Sequence, residues 1–405
     1  MVGEKLNSKH RFFLAMSFSA FFVFSIPFVI QGSLAPVTME YYGINAAQQG
    51  LIVTMQSVGG ICTAVFLALK GEKYNKIHTI ALGLLIICLA SAVIGFSPVY
   101  LGLLVLVIVM GVGNSIIDIM SNGMVSDVYP AKRNTILPIV HVFFGIGAMI
   151  TPVFVTLTVD SSMPETFVRP FRILAIVAAL VFILHFLSSK KIMPDTPYIN
   201  MEAMKKRAAE DPAEIFKTGT AWFFLVVAIL YFTFQLGTNM WLPTYAIRNA
   251  GVGFGTGGMM LTAFFAGALP MRILSPLFLK RFSSRMIFSI FGFLSAAFMF
   301  AALFTENLTL MFVFVVASGF MQGASAPVFI LMCCEVFPDR TASAASICTL
   351  AAGVAALTAP VWMGWLSGYT GFQVPMIMIC ICMFISAGMI FFKKFTAKPD
   401  DTVKQ

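Results

Sequence analysis

Most of this chain is apolar, so the polar side chains inside its long apolar runs carry the chemistry. Asn114, Asp118 and Asn122 recur every four residues and form one stripe on a helix. Gln235 and Asn239 repeat that spacing later, while Gln31 and Gln322 stand singly and Gln56 and Trp241 are lesser candidates. Amides and an indole bring hydrogen-bonding groups without fixed charge, which suits a polyhydroxylated or small zwitterionic solute. The competing role for each amide is interhelical hydrogen bonding, worth about 0.6–2 kcal/mol per contact. Taken as a set, Gln31, Asn114, Gln235, Asn239 and Gln322 are expected to bind solute, with Trp241 beside them.

Charge inside apolar runs is costly and therefore informative. Asp118 is the acid lying well inside such a run, Arg272 is a base in another, and His141 lies between them in sequence. Three arrangements compete. Asp118 pairs with Arg272 as a structural lock, Asp118 accepts a proton in a dry site, or Arg272 holds an anion. His141 either relays a proton or makes a packing hydrogen bond. These three residues form the coupling and gating set.

No enzyme chemistry is legible. The seven cysteines all fall in apolar runs, and neither Cys333-Cys334 nor Cys380-x-Cys382 has the spacing of a zinc or redox site on a helix. Gly253, Gly255 and Gly258 match a dinucleotide-loop spacing, but no strand precedes them. The expectation is a non-enzyme with no metal and no cofactor.

The elements that position these residues are twelve apolar spans, at 12–38, 48–69, 78–96, 100–124, 136–159, 172–188, 220–243, 255–279, 286–304, 309–333, 344–366 and 374–392. Runs of this length cross a membrane, and only helices satisfy the backbone there. At 59% hydrophobic and 11% charged, the chain lacks the polar surface of a soluble domain. A net charge of +9 raises nucleic acid as a partner, but 22 of the 26 Lys and Arg residues fall in segments on one side of the spans. That asymmetry predicts both termini in the cytoplasm of a multi-pass inner or plasma-membrane protein, and it removes nucleic acid from consideration.

The series of spans repeats at an offset of 208 residues: Gly111 with Gly319, Tyr129-Pro130 with Phe337-Pro338, Gly145 with Gly353, Pro152 with Pro360 and Lys73-Tyr74 with Arg281-Phe282. Two related sets of six mark a transporter built from repeats around a central site. The expected division is 1–188 for the first six-helix bundle, 189–219 for a basic cytoplasmic linker with an amphipathic surface helix, and 220–405 for the second bundle. Gln31 and Gln322 stand as repeat counterparts of Gln235 and Asn114, the first at a slightly different offset.

The segment from Ala68 to Lys76 resembles the signature loop of the major facilitator superfamily, with Glu72-Lys73 at the acid-base place, Lys76 at a later basic place, and Asn75 where the family has a turn glycine that tolerates a left-handed backbone. The resemblance covers essentially the whole chain. Within the family, Gly113-Asn114, Asp118, Asn122, Tyr129-Pro130, Arg133, His141, Gly145, Gly147, Pro152, Gly267 and Arg272 are similar to the fucose permease branch. Span one departs from that branch, having no acid between Phe12 and Met39. The resemblance implies an all-α membrane fold in which helices 1, 4, 7 and 10 surround a cavity. It also implies a monomer working by alternating access between two rocking bundles, with membrane lipid, a small solute and a proton as partners. The function expected is sugar-like uptake by symport. Rivals are efflux of amphipathic compounds, suggested by 42 Phe and 26 Met, and carboxylate transport through Arg272.

Overall fold

The computed structural model describes residues 8–70, 74–96, 99–128, 133–192, 212–337 and 341–393. Among them, twelve helices are long and apolar enough to cross a membrane, on the segments hydropathy predicts. They are α1 (Ser8–Tyr42), α2 (Ala46–Lys70), α3 (Lys76–Ile94), α4 (Tyr100–Val128), α5 (Arg133–Thr158) and α6 (Val168–Ile192). The second set is α7 (Gly219–Asn249), α8 (Phe254–Leu279), α9 (Ser284–Phe304), α10 (Leu308–Gln322 and Ser325–Val336), α11 (Thr341–Thr370) and α12 (Gln373–Phe392). An even number of crossings puts the start of α1 and the end of α12 on one face, here the terminal face; the α1–α2 and α7–α8 turns lie on the turn face.

The repeat holds at the level of helix ends. The starts of α2 and α8, α3 and α9, α4 and α10, and α5 and α11 are each 208 residues apart, from 46 and 254 to 133 and 341. Local chemistry fixes these ends twice over. Asn75 caps α3 by accepting from the His78 N–H at 3.2 Å, and its counterpart Ser283 caps α9 through Met286 N–H at 3.3 Å. The turns after α1 and α7 pass through Gly43 (φ 62°) and Gly251 (φ 67°), again 208 apart, where a side chain would be strained. Asn75 itself differs from expectation. It is extended (φ −67°, ψ 115°) rather than left-handed, because the free N–H groups at the start of α3 need its side chain as acceptor.

Within each half, close backbone crossings hold neighbouring helices. A Cβ on Gly59 would strike the Ile108 carbonyl and one on Gly111 the Gln56 carbonyl, joining α2 to α4; Gly267 and Gly319 meet Val316 and Phe264 in the same way, joining α8 to α10. Among the described residues three hydrophobic clusters follow, a large one in α1–α6, a large one centred on α7–α12 and a small one around Phe21, Val125, Ile136 and Val140.

One helix breaks the symmetry. The span read as continuous over 309–333 is interrupted after Gln322, while α4 runs through unbroken. Pro327 has no N–H for the Gly323 carbonyl, and its ring crowds that position; α4 has Ile119 there. Glu72 and Lys73 of the loop motif, and residues 193–211 where the surface helix was expected, lie outside the described residues. Lys76 opens α3 and lies over Gly123 of α4.

Candidate functional site

The two halves meet along three seams, α1–α7, α2–α11 and α5–α8. At the first, Gly32 is backbone-close to the Asn239 carbonyl. Along α2–α11 the helices touch near the turn face: Gly50 lies against the Pro360 carbonyl, Gly364 against that of Ala46, and Thr54 Oγ1 donates to the Leu357 carbonyl at 3.0 Å. Towards the terminal face they part, and Ser57, Gly60, Ile61 and Ala64 face Thr349, Ala352, Gly353 and Ala356 across a cavity.

The cavity has two adjoining compartments of about 210 and 250 Å³, which share Phe28, Ser57, Gly60, Ser115, Leu236 and Ala356. The first is walled by Gln56, Asn114, Asp118, Asn239 and Phe24, the second by Phe232, Gln235 and Thr349. Repeat mates line it from both sides: Phe24 and Phe232, Phe28 and Leu236, Gly32 and Met240. Three of the amides expected to face solute, Asn114, Gln235 and Asn239, therefore converge. Gln56 joins them, its Nε2 tied to the Pro27 carbonyl at 3.1 Å. Asn239 Nδ2 donates to the Phe28 carbonyl at 3.0 Å, which aims its Oδ1 elsewhere. Asn239 Oδ1 and Asn114 Oδ1 accept no hydrogen bond from a donor within the described protein.

Three other expected residues do not line this cavity. Gln31 is buried where α1 crosses α7, and at the 208 spacing its counterpart is Asn239 rather than Gln235. Gln322 is buried at the break in α10, with both amide atoms unpartnered in the described protein. Trp241 is fully buried against Phe372 (ring centroids 5.1 Å), its Nε1 donating to the Pro360 carbonyl at 3.3 Å. Ser57, Ser115, Phe24, Phe28 and Phe232 were missed as lining residues; the match of Phe24 with Phe232 at the 208 spacing was an available signal, whereas Ser57, Ser115 and Phe28 have no like counterpart.

Charge is distributed unequally. Asp118 accepts from Asn122 Nδ2 at 2.8 Å, one turn along α4. Arg272 on α8 donates to the His141 carbonyl at 3.4 Å and stands 5.8 Å from the Phe144 ring. The Asp118–Arg272 ion pair is thus not formed in this conformation. The His141 ring is exposed and edge-on to Phe21 at 5.1 Å. Near the terminal face, Glu335 accepts from the Ser284 hydroxyl at the start of α9.

No group of three or more His, Cys, Asp or Glu side chains among the described residues could hold a metal. The cysteines there are all free thiols.

The Major Facilitator Superfamily model matches residues 13–259 and 248–405. The chain is 20% identical to the uncharacterized MFS-type transporter YfkL of Bacillus subtilis (strain 168), over 86% of this chain and 87% of that one. Among solved structures, a bacterial homologue of the human lysosomal transporter Spinster, in an inward-facing and unoccupied conformation, superposes with a TM-score of 0.80 at 14% identity, covering 96% of this chain and 97% of that one. A D-xylose-proton symporter gives 0.78 at 14% identity, covering 96% and 100%. With two six-helix repeats, three seams and a polar cavity between them, this integral, multi-pass membrane transporter belongs to the Major Facilitator Superfamily.

Proposed function

We propose that the protein is a secondary transporter that carries a small, polar, sugar-like solute through the central cavity by alternating access. The observation that carries this reading is the convergence of Asn114, Gln235, Asn239 and Gln56 on one cavity, with Phe24, Phe28 and Phe232 beside them. Amides match hydroxyl groups, and aromatic faces cover the apolar faces of a sugar ring. A solved neighbour described as a D-xylose-proton symporter and another described as a nucleoside transporter fit the same chemistry. The basic residues favour cytoplasmic termini; on that orientation the present conformation is closed outside, where Gly50, Gly364 and Gly32 cross, and faces inward. Labels at Asn249 should then react from outside only. Reaction from the cytoplasm reverses the direction of every step.

The test is counterflow in loaded vesicles. A hexose or pentose exchanged by wild type should be exchanged more weakly by Asn114→Ala, Gln235→Ala and Asn239→Ala at normal expression. Unchanged exchange by all three removes the amides from the site.

A second reading, proton coupling, is favoured by Asp118, an acid in the cavity wall that accepts a hydrogen bond from the neutral amide of Asn122. Asp118→Asn keeps the shape and the partner but cannot change charge. Accumulation driven by a pH gradient should vanish while counterflow survives; accumulation that persists places coupling elsewhere or nowhere.

A further inference from the structure

The cysteine pairs that are close in sequence share no helix face, but the fold brings together a pair fifteen residues apart. Cys333, on the second segment of α10, and Cys348, on α11, have their thiols hydrogen-bonded to each other. The two residues are 0% and 5% exposed. Cys334, next in sequence, points about 100° away round the helix and is partly exposed.

A buried cysteine usually serves as a small apolar packer. The repeat tests that role here. At the 208 spacing Cys333 corresponds to Val125 and Cys348 to Val140. Those two valines share one small buried cluster with Phe21 and Ile136. The same facing positions are thus filled by branched aliphatic side chains in the first half and by two sulfurs in the second. Packing needs volume at these positions, and valine supplies it. Two thiols in contact add what packing does not use, a pair of soft donors on separate helices. The pair also stands one layer behind the cavity wall. Cys348 is buried with Ala344, Ile347 and Ala351, while Thr349 and Ala352, small side chains beside it on α11, line the second compartment.

We propose that Cys333 and Cys348 form a binding site for a soft divalent metal ion of the mercuric type, held in line between the two sulfurs. Both S–H bonds break, two sulfur–metal bonds form and two protons leave. No electron is transferred, so no oxidant is needed. Thiolate selects soft metals, and a coordinating thiol is deprotonated outright. Charge decides among the soft ions. Two thiolates and a divalent cation sum to zero, so the complex brings no charge into the hydrocarbon span. A monovalent cation between two thiolates leaves one negative charge there. Zinc takes four ligands, and among the described residues no third His, Cys, Asp or Glu joins the pair. Bound there, the ion ties the Ser325–Val336 segment, which the break separates from the rest of α10, to α11 beside the cavity. The site does not depend on which solute the carrier moves.

The probe is mercuric chloride on reduced, full-length protein in detergent, with excess glutathione present to strip mercury from single thiols. Wild type should retain a single mercury per chain. Cys333→Ser and Cys348→Ser should each hold it about 100-fold or more weakly, the loss expected when two linked donors become one. Cys334→Ser and Cys380→Ser should hold it as wild type does. The double variant Cys333→Val with Cys348→Val copies the valines of the first half, so it should fold with a wild-type thermal midpoint and retain no mercury. The proposal is overturned if wild type retains none, or if either serine variant or the double variant retains as much as wild type. Loss in Cys334→Ser but not in Cys348→Ser assigns the metal to the adjacent pair and overturns it as well. A measurement on wild type alone covers variants that misfold. Anomalous scattering from mercury-soaked crystals should place the ion between the Cys333 and Cys348 sulfurs, and mercury found only at other cysteines removes the site.

Discussion

The α2–α11 and α5–α8 seams are repeat counterparts, yet one encloses space and the other is filled. Ala352 on the open seam corresponds to Phe144 on the filled one, Ala64 to Arg272, Ser57 to Phe265 and Gln56 to Phe264. Phe264 and Phe265 are buried, and Phe144 packs on Phe24 and Phe28 at 5.4 and 5.5 Å. The α5–α8 seam keeps contact along its length, from Gly258 against Thr156 through Thr262 Oγ1 on the Met149 carbonyl at 3.2 Å to Arg272 on His141. The backbone framework, with its paired glycines and caps, is duplicated. The side chains facing each other differ, with the smaller ones on the seam that holds the cavity.

That contrast can be broken by exchanging volumes. Ala352→Phe places the filled seam's residue on the open seam. It should abolish solute exchange while leaving expression and thermal stability near wild type, because it fills a void rather than displacing packed atoms. Retained exchange would move the pathway off α2–α11. The reverse change, Phe144→Ala, should leave a cavity at α5–α8 and lower stability by about 2–3 kcal/mol, below the range for a fully buried ring because Phe144 is only partly buried. A thermal-denaturation midpoint equal to wild type would contradict the packing described.

The turn-face contacts sharpen the comparison further. A methyl on Gly50 meets the Pro360 backbone carbonyl, whereas one on Gly258 meets the Thr156 methyl at 2.5 Å, the end of a side chain. Gly50→Ala should disfavour the present conformation by about 1–3 kcal/mol, and Gly258→Ala by clearly less. Labelling rates of a cysteine placed at Asn239 report the difference; equal rates in the two variants would argue against separate roles for the seams. The smallest effects belong to single amides. Asn114→Ala and Asn239→Ala should each raise KM about 2- to 10-fold for loss of one hydrogen bond, while Gln322→Leu, buried away from the cavity, should change KM less than twofold. A larger rise for Gln322→Leu would return it to the site.

The twelve spans and the 208-residue repeat were legible because hydropathy length and exact spacing need no tertiary knowledge. The break in α10 was signalled by Pro327 but lies inside an unbroken apolar run. The amides show what sequence leaves open. Gln31, Gln322, Asn114 and Asn239 are alike in type and depth, and only the neighbouring helices decide which of them meets the cavity. Asn75 was placed correctly in the loop and given the wrong backbone, because capping demand outweighed turn preference. The emptiness of one seam and fullness of the other is a matter of which side chains face each other across two helices 208 residues apart in register, and no local pattern records it.

Continuous contact along α5–α8 also sets the geometry of movement. A seam joined from end to end behaves as the pin of a hinge, and displacement grows with distance from the pin. A swing of about 15°, the size of a common rigid-body rotation, moves a helix two diameters away, about 20 Å, by about 5 Å. Across α2–α11 that stroke is enough to pass a ring-sized molecule, while spin labels spanning α5–α8 would record almost no change. A pin at α5–α8 predicts opening as a door rather than as a pair of jaws, with solute entering along the α2–α11 edge, and spin-label distances across both seams decide between the two.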